Sequence, residues 1–171
     1  VYLRGRQIGK NGRDFPADMG VFINSPGFIG IYSGFQNLKF LADIQGKIGE
    51  KEIRQTMTKV GLDPDNKAKV DNYSLGMKQK LGLAQAIMEG QDILILDEVL
   101  SVGDARFRKK SLAKVQSMFD QGVTVLFVSH NIQQVKAICD TAILLEKGHI
   151  IASGDVDSVA AVYEEKSGKK K

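Results

Sequence analysis

An α/β fold, with a mainly parallel sheet interrupted by a helical block, is predicted by three observations. Short apolar runs near residues 20–23, 93–97, 123–129 and 142–146 have the length and continuity of strands. Segments of helical periodicity near 105–120 and 132–138 separate the later runs, which is the alternation of βαβ units. Between the first run and the second lies a stretch, residues 33–89, whose apolar positions recur at helical spacing. At 171 residues and 43% hydrophobic content, one compact domain is expected, without room for a second large one.

Taken in order, Val1 to Arg13 reads as a hairpin with its turn at Lys10-Asn11-Gly12. Gly20-Val-Phe-Ile23 is a strand that leads into Asn24-Ser-Pro-Gly-Phe28, a turn by composition. Ser33 can cap a helix carrying Leu38, Leu41 and Ala42. From Glu50 onward, Ile53, Met57 and Val60 fall at i, i+4 and i+7 until Gly61 stops the helix. A third helix starts at about Leu75 and runs through Ile87. After the βαβ alternation, Lys147-Gly148 turns into a final hairpin strand, and Asp155 caps a last helix ending near Glu165.

Composition narrows the function. No apolar stretch reaches spanning length and the N-terminus has no signal-peptide pattern, so the chain is expected neither to cross a membrane nor to leave the cytosol by itself. Cys139 agrees with a reducing compartment and sits on an apolar helical face as packing. The formal charge of +4 owes much to Lys166-Ser-Gly-Lys-Lys-Lys171, which reads as a solvated tail. Four lysines are a weak warrant for a membrane surface or for nucleic acid, and no nucleic-acid partner is expected.

The chemistry concentrates in Ile93-Leu-Ile-Leu-Asp-Glu98. An apolar strand ending in two acids delivers carboxylates to the C-terminal edge of a sheet, where open α/β folds bind ligands. There Asp97 could hold a metal and Glu98 could activate water. Such a strand also occurs in many sheets without a catalytic role, so its company decides. Tyr73-Ser-Leu-Gly-Met-Lys-Gln-Lys80 precedes it, Val99-Leu-Ser-Val-Gly-Asp104 follows it, and Val123-Thr-Val-Leu-Phe-Val-Ser-His130 supplies a second apolar strand tipped by histidine.

In this order the four elements resemble the ATP-binding cassette (ABC) ATPases: signature loop at 73–80, Walker B strand at 93–98, D-loop at 101–104 and switch histidine at 130. The resemblance runs over nearly the whole chain and implies a P-loop NTPase-like core with a helical subdomain insert. The implied organisation has four parts. Residues 1–32 hold a hairpin, a core strand and the Q-loop, and 33–89 form a helical subdomain ending in the signature helix. Residues 90–155 hold the Walker B, D-loop and switch-histidine core, and 156–171 are a C-terminal helix and basic tail. A Walker A loop, G-x-x-x-x-G-K-[ST], is not matched. The nearest string, Gly5-Arg-Gln-Ile-Gly-Lys-Asn11, is one residue short between its glycines and has Asn11 in place of the hydroxyl. The expectation is therefore a cassette that lacks its N-terminal segment.

By this resemblance Asp97 lies near Mg²⁺, Glu98 activates the attacking water, and His130 contacts the γ-phosphate and holds Glu98 and the water. Ser74 and Gly76 would bind the γ-phosphate held by the partner subunit. Leu75 and Met77 stand where the family has glycine and glutamine. Asn24 falls at the Q-loop glutamine and Asp104 at the D-loop acid. Each has an ordinary reading beside this one: solvated strand-end acids for Asp97 and Glu98, a structural histidine, a helix cap for Ser74, a turn-forming Asn24, and an N-cap for Asp104. His149 has no such context and is assigned nothing.

The function implied is that of the ATP-binding subunit of a bacterial ABC transporter, using ATP and Mg²⁺, with export favoured over import. Val99 in place of the usual proline and Cys139-Asp140 before the last core strand look like polysaccharide and peptide or drug exporters. The implied partners are a second ATP-binding subunit and transmembrane permease subunits at the cytoplasmic face of the membrane. Phe28, Ile29, Ile31 and Tyr32 form the expected docking patch. The alternatives are a soluble ABC ATPase acting on ribosomes or DNA, and a degenerate cassette kept for assembly.

Overall fold

The computed structural model describes residues 2–3, 6–7, 19–23, 27–97 and 122–168. Strands β1 (Tyr2–Leu3) and β2 (Arg6–Gln7) are followed by β3 (Met19–Ile23), then helices α1 (Gly34–Gln45), α2 (Glu50–Lys59) and α3 (Leu75–Ile87). Then come β4 (Ile93–Asp97), β5 (Thr124–Val128), α4 (Ile132–Ile138), the hairpin β6 (Thr141–Glu146) with β7 (His149–Asp155), and α5 (Val156–Gly168). The chain is α/β.

The central sheet is parallel, in the order β3-β4-β5. Met19, Ile93 and Thr124 stand opposite one another at one end, and Ile23, Asp97 and Val128 at the other. Because β4 is the middle strand, Ile93, Leu94 and Leu96 are all buried, as a strand covered on both faces requires. Phe22, Leu83, Ala86, Leu94, Leu96 and Ile138 form the core beside this sheet. Gly20 lets α3 approach β3 closely: a Cβ there would lie 1.9 Å from the Ala86 carbonyl oxygen.

The helical block has its own core. Leu38, Ala42, Ile53, Met57, Leu81 and Ala84 lie at its centre with no more than 1% exposure, so α1, α2 and α3 pack on one another before anything else covers them. Local signals set the helix ends. The Ser33 hydroxyl accepts from Gln36 N at 3.2 Å while Gln36 Oε1 accepts from Ser33 N at 2.9 Å, a reciprocal cap. At the other end Gly46 takes φ +65° and donates to the Ala42 carbonyl. In α2, Glu52 Oε2 accepts from Gly49 N at 3.0 Å. Helix α3 serves both cores, with Leu83 and Ala86 turned to the sheet and Leu81 and Ala84 to the helices, joined there by Met88 just past its end.

Backbone bonds tie the loop after β3 to the segment before α3. Val70 N donates to Tyr32 O at 2.9 Å and Asp71 N to Gly30 O at 3.1 Å, and Ser33 bridges Lys69. Asn37 clamps the same loop from α1, accepting from Ile29 N at 2.7 Å and donating to Ile29 O at 3.1 Å.

Four expectations need correction. The run at 142–146 does not extend the parallel sheet among the described residues: β6 pairs antiparallel with β7. Its residues alternate between exposed and half-buried, the pattern of a two-faced ribbon. Lys147 and Gly148, at φ 49° and 81°, provide the turn that closes it. In the N-terminal hairpin, Tyr2 pairs with Gln7 and Leu3 with Arg6. Lys10 to Gly12, where the turn was expected, lie outside the described residues. Helix α5 runs to Gly168, beyond Glu165, with Lys166 paired to Glu146 of β6. Finally, Phe28 is partly buried against the helical core, leaving Ile29, Ile31 and Tyr32 as the exposed part of the expected patch. Among the described residues, no helix is long and apolar enough to cross a membrane.

Candidate functional site

The parallel register brings the candidates of the sheet to one edge. Asp97 closes β4 directly opposite Ile23 of β3 and Val128 of β5. Asn24 and Glu98 are the next residues in sequence after these two strands, and both lie outside the described residues, as does Asp104. His130 follows the end of β5 by two residues and is exposed. Its position is set by the cap of α4: Asn131 Oδ1 accepts from Gln133 N at 3.0 Å, and Asn131 N donates to Ser129 Oγ at 3.1 Å. Tyr163 of α5 donates to the His130 carbonyl at 3.4 Å, so the backbone is held while the imidazole stays exposed.

Asp97 therefore offers one half-buried carboxylate at the sheet edge. Among the described residues no cluster of three or more His, Cys, Asp or Glu could hold a metal alone. One carboxylate suits Mg²⁺ more than Zn²⁺, since Mg²⁺ is commonly bound by one or two carboxylates with phosphate oxygens and water completing its shell.

The signature residues form a second, separate element. Ser74 is exposed and caps α3, its hydroxyl accepting from Met77 N at 3.2 Å. The ordinary capping role is thus real. It leaves the first backbone N–H groups of a 13-residue helix directed outward, a natural anion site. Leu75 is 56% exposed, and a Cβ on Gly76 would meet nothing within 4 Å, so this helix start presents an open face. Helix α3 ends beside the start of β3, where Ala86 meets Gly20, so its capped N-terminus points away from that end of the sheet. The structure brings Asp97 and His130 to one edge and leaves Ser74 and Leu75 exposed at the start of α3, with Met77 partly buried against the helical core.

A family profile described as ABC transporter matches residues 1–101. YybJ of Bacillus subtilis (strain 168), described as an uncharacterized ABC transporter ATP-binding protein, is 34% identical over 160 residues, covering 91% of this chain and 71% of that protein. TagH of Bacillus anthracis, a teichoic acids export ATP-binding protein, is 35% identical over 146 residues, which is 82% of this chain and 26% of TagH. The chain thus spans about a quarter of this longer relative. Among solved structures, the dimeric bacterial ABC transporter cassette MJ0796 superposes with a TM-score of 0.72 at 16% identity, covering 81% of this chain and 63% of that one. With a family profile over more than half its length and a relative as similar as YybJ, the chain belongs to the ABC transporter ATP-binding family.

Proposed function

We propose that this chain is the core of an ATP-binding subunit that hydrolyses ATP at a dimer interface to drive export through a membrane permease. The observation that carries the reading is the shared sheet edge, where Asp97 and the backbone leading to His130 leave adjacent parallel strands. Asp97 would hold Mg²⁺ against the nucleotide phosphates, and Glu98 would orient and deprotonate water. His130 would donate to the γ-phosphate from its exposed imidazole. Ser74, with the N–H groups of Leu75, Gly76 and Met77 at the start of α3, would cradle the γ-phosphate of the facing subunit. Asn24 would relay nucleotide state to the membrane partner, and Asp104 would lie at the subunit interface. Export is supported by TagH, whose description names teichoic acid export. The subunit would lie at the cytoplasmic face of the membrane, with residues 33–89 as the helical subdomain, flanked by 1–32 and by the core at 90–155, and 156–171 as the C-terminal helix and tail.

The test uses the full-length gene product. Glu98→Gln should keep ATP binding but slow hydrolysis by roughly 10²- to 10⁴-fold, because the base is lost while the metal ligand stays. Turnover within a few-fold of wild type would remove Glu98 from the mechanism.

A further inference from the structure

Beneath the exposed side chain of Ile44, the ends of α1 and α3 meet the start of β3 around a cavity of about 250 Å³. Leu41, Met19 and Met88 give it apolar walls, and Glu89 and Gln91 line it with oxygen. Glu89 Oε2 and Gln91 Oε1 are both buried and have no hydrogen-bond donor among the described residues. The Glu89 side chain is only 3% exposed. Lys47 Nζ stands 3.5 Å from Oε2, beyond charge-assisted hydrogen-bonding range, so it offsets the charge without filling the lone pairs.

A buried carboxylate with an empty acceptor is costly to retain unless something completes it. With Lys47 already offsetting the charge, the surroundings call for hydrogen-bond donors to Glu89 Oε2 and Gln91 Oε1. Helices α1 and α3 both end at this cavity, and neither carries a basic residue in its last turn. Their carbonyl ends add to the negative potential of Glu89. The volume falls below that of pockets for drug-sized ligands and suits a single long side chain. Two acceptors over an apolar wall match a guanidinium on its methylene stem better than a point ammonium. Ile44, 80% exposed, lines the cavity, and Phe40, 39% exposed and packed edge-on against Tyr32, lies four residues before it on the same face of α1.

We propose that this cavity is the socket for one arginine side chain from the cytosolic segment of the membrane subunit. Glu89 and Gln91 receive the guanidinium, and Phe40 and Ile44 pack the segment that carries it. The identity of the partner rests on the exporter reading above, whereas the socket can be tested without it.

The first arm titrates N-acetyl-arginine amide into the full-length protein, followed by NMR of Met88, Ile44 and the Gln91 side chain. Binding with a Kd of about 1–10 mM is expected, weakened at least about tenfold in Glu89→Gln, with N-acetyl-norleucine amide inert. No shift of these signals, or equal shifts in Glu89→Gln, overturns the socket. A thermal melt of Glu89→Gln within a few degrees of wild type shows that the fold is intact. If the variant melts much lower, Gln91→Leu replaces it and carries the same expectation.

The second arm measures assembly with the co-expressed membrane subunit in detergent. Glu89→Gln should weaken it by about tenfold or more, and Glu89→Arg should be rescued by one arginine-to-glutamate change in a cytosolic loop. If Ile44→Asp abolishes assembly but Glu89→Gln does not, docking stands and the socket falls. If wild type assembles with no membrane subunit, the exporter reading falls, and the titration alone decides the socket.

Discussion

The hydroxyl of Tyr73 accepts a hydrogen bond from the backbone N–H of Gly34 at 3.2 Å, joining two residues 39 positions apart in a buried contact. This pins the first turn of α1 to the residue just before Ser74. With the Val70–Tyr32 and Asp71–Gly30 bonds beside it, the loop after β3 and the start of α3 form one mechanical unit. The link is made of two backbone bonds and one buried side-chain hydroxyl.

Tyr73→Phe keeps the packing and orphans a buried N–H, so it should destabilise by about 1–3 kcal/mol. Gly34→Ala should cost a similar amount, since the new Cβ would sit 2.8 Å from the Tyr73 hydroxyl and 3.1 Å from Leu81 Cδ1. Thermal melts are the measurement. Because the two changes act on one contact, the double variant should lose less than the sum of the singles, and strict additivity would contradict the coupling.

Gly20→Ala should separate β3 from α3. The clash is with a backbone carbonyl, which no rotamer change relieves, and about 3 kcal/mol of stability should be lost, measured by denaturant unfolding. A loss under about 0.5 kcal/mol would mean that α3 shifts freely on the sheet, contrary to the shared-core packing.

Glu52 gives the helical block a pH dependence. Its carboxylate is held below the ordinary carboxylate range by its own backbone N–H first and by that of Gly49 second, while Lys51 adds a smaller charge effect. A depressed folded-state pKa contributes stability that is present above the unfolded value and is lost as pH falls through the folded one. Wild type should therefore exceed Glu52→Gln in melting temperature at neutral pH, and the gap should close as the solution is acidified below about pH 4. A gap that stays constant with pH would assign the difference to helix propensity instead.

Much of the fold was legible because its signals are local. Ser33, Gly61, Ser74 and Asp155 mark helix ends through chemistry available within a few residues, and Ile53 and Met57 are buried as their spacing predicted. The strand run at 93–97 was readable because a central parallel strand is apolar on both faces. What sequence missed depends on distant partners. The 142–146 run has the same local composition as the parallel strands, and only its pairing with β7 distinguishes it. Phe28 looked like part of an exposed patch because nothing nearby in sequence shows the helical core that partly covers it. Glu89 and Gln91 carry no linear motif; they become notable only when the ends of α1 and α3 close around them. At the candidate site, Asp97 and His130 reach the predicted edge, while Asn24, Glu98 and Asp104 lie outside the described residues.

Ser74 permits a test of the facing-subunit role that separates it from simple capping. Its hydroxyl already accepts from Met77 N, so Ser74→Ala removes a cap worth about 1 kcal/mol and should lower the melting temperature by a few degrees. Ser74→Asp restores the cap, because a carboxylate accepts the same bond, but places a negative charge where a γ-phosphate would bind. In the full-length protein, Ser74→Asp should therefore melt near wild type yet hydrolyse ATP at least about tenfold more slowly, from electrostatic repulsion at close range. Mixing it with a Walker A lysine variant should return part of the activity, since one composite site per mixed dimer keeps both its phosphate loop and an unaltered serine. If instead activity follows melting temperature across Ala and Asp, Ser74 is a cap and the γ-phosphate role is lost.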